Sequence, residues 1–144
     1  MTVLDAYAVI AYLRDEPAAG AVREILRESA ALTAVGVAEV TDIVVRLGGV
    51  DTEDLALDLA ELGLDEAVDV DGALGAAAGR LRARHYHRTD CAISMADAIA
   101  AEVARSRHEP LATADPALLT VCHGEGIASI PLPGTDGSVW SPPS

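Results

Sequence analysis

Short apolar runs alternate along this chain with longer stretches whose apolar residues recur every three or four positions, the signature of strands interleaved with helices. Thr2, Val3 and Leu4 predict a strand with Asp5 at its C-terminal end, and residues 6–13 then predict a helix. Asp15, Glu16 and Pro17 interrupt the pattern. Pro17 suits the first turn of a second helix reaching about Ser29, where the N–H that proline lacks has no helical partner. Residues 31–35 form another apolar run, read as a buried strand that Gly36 breaks. From Val37 the pattern is helical, with Val37, Val40, Val44 and Leu47 on one stripe, Glu39, Asp42 and Arg46 on the other, and Gly48 and Gly49 at the end. Asp51 and Thr52 cap an amphipathic helix through Leu62, residues 68–70 are a candidate third strand, and Asp71 and Gly72 open an alanine-rich helix to about His85. Residues 94–104 predict a helix that is apolar or small nearly all round, which marks it as buried. Residues 111–114 form a short apolar strand ending in Asp115, Pro116 starts the next helix, and Gly124 and Gly126 bracket a turn into a last strand at 127–130. Residues 131–144, with four prolines, two glycines and three serines, read as an extended or disordered tail.

Strands alternating with helices predict an α/β fold, a short and mostly parallel central sheet covered on both faces, in one domain over residues 1–130. With no Phe, the core is expected to be built from Leu, Val, Ile and Ala. No apolar run approaches the roughly 18 to 20 residues that span a bilayer, so a cytoplasmic location with no membrane is expected. Cys91 and Cys122 stand far apart without a ligand spacing, which reads as small apolar residues in a reducing compartment. The net charge of −13 comes from 23 acidic residues against ten basic ones, every one an arginine. That balance speaks against broad nonspecific binding to nucleic acid and for cationic partners: a metal, or a protein carrying Lys and Arg.

The chemistry-bearing feature is Asp97, a carboxylate set among alanines. Such a group, half out of water, needs a donor, a cation or a metal. Ser94 and Asp97 also have the spacing of a capping box, which makes both residues helix punctuation. In parallel α/β sheets the ligand site lies beyond the carboxyl ends of the strands, where Asp5 and Asp115 stand. Glu39 and Asp97, early in their helices, can reach the same edge. Converging carboxylates repel one another and rise in pKa unless a cation neutralises them, and an oxygen-only donor set favours Mg²⁺ or Mn²⁺ over zinc. Asp115 also reads as the N-cap before Pro116, and Asp42 with Arg46 as a surface pair. Arg80, Arg82, Arg84 and Arg88, with His85 and His87, form the one basic cluster, either a candidate RNA-binding surface or a helix end favoured by the macrodipole. The His-x-His spacing lacks a third ligand and is not read as a metal site.

Four segments together, Val3-Leu4-Asp5, Ala38-Glu39-Val40, Ser94-Met95-Ala96-Asp97-Ala98 and Leu111-Ala112-Thr113-Ala114-Asp115-Pro116, resemble the PIN domain in order and spacing, and the length is similar to its VapC-type toxin branch. The resemblance runs from residue 3 to about residue 130. It implies a three-layer α/β/α fold and a Mg²⁺- or Mn²⁺-dependent endoribonuclease, with Asp5, Glu39, Asp97 and Asp115 as the acidic set. Asp5 and Asp97 are expected as direct metal ligands, with Ser94 and Thr113 as polar neighbours. It also implies a homodimer, an RNA substrate and a cognate antitoxin whose peptide covers the groove. One departure is Ala6, where many members carry Ser or Thr, so that a hydrogen bond to the first aspartate is expected to be missing.

Other readings of the same residues remain. An aspartyl phosphatase needs a second aspartate two residues after the first and a lysine, and Tyr7 and the absence of lysine oppose it. The lack of lysine similarly opposes a phosphoacceptor receiver domain. A non-catalytic module whose acidic cleft takes an arginine-bearing protein partner fits the charge, and a housekeeping RNA-processing nuclease is a further reading that no residue here distinguishes from a toxin.

Overall fold

The computed structural model describes all 144 residues. In chain order it contains β1 (Thr2–Leu4), α1 (Ala6–Leu13), α2 (Ala19–Glu28), β2 (Ala30–Ala31), α3 (Ala34–Gly48), α4 (Thr52–Glu61), α5 (Gly72–His85), α6 (Met95–Arg107), β3 (Leu111–Thr113), α7 (Pro116–Glu125) and β4 (Ser129–Pro131). The strands pair in the order β2-β1-β3-β4, all parallel. Side chains alternate across such short strands, so Val3 and Leu111 enter one core with α5, α6 and α7, while Leu4 and Ala112 enter the other with α1 to α4. The result is a three-layer α/β/α sandwich. The chain leaves β1 toward β2 on one side and later returns to β3 on the other, so the order reverses between β1 and β3. That reversal opens a crevice at the carboxyl ends of these two strands.

Three expectations from the sequence are corrected. The run at 31–35 is strand only at Ala30–Ala31, because Thr33 caps α3 by accepting a hydrogen bond from the Gly36 N–H at 2.9 Å. Gly36 therefore lies in the first helical turn instead of ending a strand, and a Cβ there would stand 2.6 Å from Leu32 Cδ1. Residues 68–70 make no strand; Val68 forms one parallel bridge to Thr33. Pro17 lies two residues ahead of α2, in a turn closed by the Glu16 N–H to the Ala11 carbonyl and the Ala19 N–H to the Glu16 carbonyl. Beyond β4, Leu132 is 1% exposed and its N–H donates to the Thr113 carbonyl, which carries the following residues back across the sheet's C-terminal edge. Cys122 is buried, and burial pushes its thiol up to about 12, so it acts as a small apolar side chain; Cys91 is half-buried. No helix is long and apolar enough to cross a membrane.

The basic helix end of α5 is tied to α6 and α7 through Glu125. Its carboxylate accepts from His85 Nε2 at 2.6 Å, Arg84 at 2.9 Å and Arg105 at 2.6 Å. These three bonds hold Glu125 at about 2, below the ordinary 4.5. Because the folded value is the lower one, the network's contribution is complete above about pH 4.5 and is lost as pH falls toward 2. Glu125→Gln is expected to lower stability by about 1–2 kcal/mol at pH 7. Urea unfolding against pH checks this, with the two proteins converging as the wild type is acidified; a constant gap down to pH 2 would exclude the network as its source.

Candidate active site

Three of the four acids at the crevice are themselves part of a helix cap. Asp5 is the N-cap of α1, its Oδ1 accepting from the Ala8 N–H at 2.8 Å. Asp115 is the N-cap of α7, its Oδ1 accepting from the Ala117 N–H at 2.9 Å. Asp97 completes a capping box at the start of α6: the Ser94 N–H donates to Asp97 Oδ2 at 2.9 Å and the Asp97 N–H to Ser94 Oγ at 3.0 Å. Glu39 lies six residues after the Thr33 cap, in the second turn of α3, and is half-buried. Helix starts carry partial positive charge, and here they aim carboxylates at one place. For Asp5, Asp97 and Asp115, punctuation and site are thus the same residues. A cap engages one oxygen of Asp97 and of Asp115 and leaves the other free.

Asp5, Glu39, Asp97 and Asp115 line one cleft of about 450 Å³, with Ser94, Tyr7, Gly134 and Thr135 among its other walls. Asp5 is 6% exposed. Burial, foremost, and the charges of Asp97 and Asp115 raise it to about 7, against the lowering effect of hydrogen bonds from Thr113 and Ala8. Desolvation likewise raises Asp97, with Asp115 adding to it, and raises Glu39, with Asp97 adding. The charges of Asp97 and Asp115 thus reach Asp5, that of Asp115 reaches Asp97, and that of Asp97 reaches Glu39.

Thr113 connects the two strand ends. Its hydroxyl donates to Asp5 Oδ2 and its oxygen accepts the Asp115 N–H at 3.1 Å. The hydroxyl missing at Ala6 is supplied from across the sheet.

No three His, Cys, Asp or Glu side chains stand close enough to enclose an ion by themselves. A small hard cation does not require that. Mg²⁺ keeps several waters and takes one or two carboxylates, so the donor set of carboxylate oxygens with free lone pairs fits it. Asp5 is raised chiefly by burial, with the charges of Asp97 and Asp115 adding, and a bound cation would relieve both.

The arginine cluster divides in two. Arg82 donates to the Ile93 carbonyl at 2.8 Å and lies 4.1 Å from the Tyr86 ring centroid, while Arg84 is paired with Glu125. Both serve the fold. Arg80 and Arg88 are exposed at the ends of the cluster. Tyr7 and the tail residues Gly134 and Thr135 are cleft-lining positions that the sequence reading did not single out. For Tyr7 the signal was its place two residues after Asp5; the tail return depends on Leu132, whose burial no local pattern reveals.

The PIN domain family model matches residues 2–124. Among solved structures, the chain is similar to FitAcB from Neisseria gonorrhoeae at 19% identity and a TM-score of 0.60, covering 90% of this chain and 96% of that one. It is also similar to FitAB bound to an IR36 DNA fragment, at 20% identity and a TM-score of 0.66, covering 90% and 94%. At these identities the likeness is one of fold. No curated protein matches the chain.

Proposed function

Because the chain belongs to the PIN-domain family, we propose that it is a metal-dependent endoribonuclease, the VapC-type toxin of a type II toxin–antitoxin pair. The observation that carries this reading is the convergence of Asp5, Glu39, Asp97 and Asp115 on one cleft in which each raised carboxylate is raised partly by another. Bound Mg²⁺ or Mn²⁺ supplies charge neutralisation and an acidified water. Asp5 and Asp97 are the residues that would hold it, through Asp97 Oδ1 and the remaining lone pairs of Asp5. Thr113 fixes the Asp5 carboxylate, and Ser94 fixes that of Asp97. Glu39, half-buried and raised by burial and by Asp97, would take a proton from the attacking water at its carboxylate oxygens. Asp115 orients water through its free Oδ2.

Hydrolysis by water, without the ribose 2′-hydroxyl, leaves no cyclic phosphate. Digestion of single-stranded RNA followed by end analysis tests the reading: products with plain hydroxyl and phosphate ends support it, and 2′,3′-cyclic phosphates would overturn it.

The acidic cleft and the charge of −13 suit an antitoxin peptide that presents arginine or lysine, and the fold likeness to FitAcB and FitAB adds weight to such a partner. A homodimer is part of the same proposal. RNA contact then falls to the arginines that the fold leaves unused. Arg80→Ala and Arg88→Ala are expected to weaken RNA binding by about two- to fivefold each at low salt and to reduce its salt dependence, whereas Arg82→Ala and Arg84→Ala act on stability. Filter binding across a salt series checks this; unchanged slopes for the first pair would leave those arginines without a role in RNA contact.

A further inference from the structure

Next to the acidic cleft lies a second cavity of about 230 Å³, enclosed by α1, the turn after it and the returning tail. The two share Tyr7, Ala114, Gly134 and Thr135 and so adjoin along these residues. Its walls are mostly apolar, with Ile10 and Leu132 among them, and Tyr7 at the shared boundary is 60% exposed. The charged groups in its lining are Arg14 and Glu16, and Thr135 and Tyr7 add hydroxyls. The Glu16 backbone is held in the turn after α1, beside Asp15 with its left-handed φ of 53°, which fixes where its side chain starts.

A volume below the roughly 300 Å³ at which ligand pockets begin admits a single flat ring system or one side chain. An apolar side chain would strip water from the half-buried Glu16 without replacing it. A basic side chain would pair with Glu16 but meet Arg14. A nucleobase edge offers donors and acceptors together, and its faces suit apolar walls and an aromatic ring. Among the bases, guanine presents two adjacent N–H donors, which match the two oxygens of a carboxylate, beside an O6 acceptor for a guanidinium.

We propose that this cavity is a base-recognition subsite for a guanine next to the scissile phosphate, with Tyr7 against the ring, Glu16 accepting the N1 and N2 hydrogens and Arg14 donating to O6. The role beside a scissile phosphate rests on the ribonuclease reading. The base preference does not, and it is measured separately.

Full-length protein in EDTA is titrated with guanosine, inosine, adenosine, cytidine and uridine while the backbone amide signals of Ala8, Ala11 and Ala18 are followed. Guanosine is expected to move them with about tenfold tighter binding than adenosine, and inosine, which lacks the 2-amino donor, to fall between. Glu16→Gln removes the preference for guanosine. Tyr7→Ala weakens all five about fivefold or more, and Tyr7→Phe restores them. Equal binding of all five nucleosides, or a preference untouched by Glu16→Gln, overturns the proposal. So do amides that respond to a basic or apolar peptide but not to nucleosides, since the cavity then belongs to a protein side chain. RNA cleavage without guanosine preference, unchanged by Glu16→Gln, leaves the nuclease reading standing and removes the subsite. Guanosine binding by a chain that cleaves no RNA does the opposite.

Discussion

Asp97→Asn is expected to lower RNA cleavage by about 10²- to 10⁴-fold while the protein keeps its fold and stability. The reason lies in the division of labour between the two oxygens. Asparagine retains a side-chain carbonyl that can accept the Ser94 N–H, so the capping box at the start of α6 survives. What it removes is the charge that helps to raise Glu39, together with an anionic oxygen for the cation. Asp97→Ala differs: it loses the cap as well, at about 1 kcal/mol, partly offset by relief of repulsion from Asp115. Thermal unfolding beside a cleavage assay separates these effects. An asparagine variant with undiminished cleavage would sink the assignment of this carboxylate.

Asp5→Asn is expected to act on stability in the opposite direction from most buried substitutions. The folded carboxyl sits at about 7 against an ordinary 3.8, with burial the largest cause. The unfolded chain therefore gives up its proton first, and metal-free stability falls as pH rises from about 4 to about 7, then levels off. At about 1.4 kcal/mol per pH unit the full effect is on the order of 4 kcal/mol. Asparagine carries no such charge, and at pH 8 without metal the variant unfolds at a higher temperature than the wild type. The gain is reduced because Thr113, which donates to Asp5, must turn its hydroxyl elsewhere. Adding Mn²⁺ stabilises the wild type and leaves the variant unmoved, since only the wild type gains an ion bound to the folded state. A wild-type midpoint that does not fall between pH 4 and 7 in EDTA would contradict the burial account of Asp5.

The parts of the site legible in the sequence are those where one residue does two jobs. Asp5, Asp115 and the Ser94–Asp97 pair stood out because an apolar strand or a buried helix meets a capping residue there, and the caps are what aim these carboxylates into the crevice. The alternation of Val3 with Leu4 was readable as strand, and the parallel order follows from intervening helices. Residues 31–35 misled because a short apolar run carries too few positions to separate a period of two from one of 3.6. Thr33, hidden inside that run, is the true cap, and Gly36 owes its size to Leu32 folding close beneath it. Val68 bears the composition of a strand but forms only the single bridge opposite Thr33, through hydrogen bonds with Leu32 and Ala34, so no ladder grows. The wall formed by Gly134 and Thr135 depends on Leu132 finding its place beside β3, a contact without local periodicity. The arginine cluster was visible as charge; its division into Arg82 and Arg84, bound to the fold, and Arg80 and Arg88, left exposed, required the positions of Ile93 and Glu125.

The most direct measurement is hydrolysis of a mixed cellular RNA pool by partner-free protein in Mg²⁺, in Mn²⁺ and in EDTA, with Asp5→Asn alongside. The account predicts discrete products in either metal that vanish in EDTA and in the variant. Folded protein that binds Mn²⁺ yet leaves the pool intact, or cleavage that persists in EDTA, would contradict it.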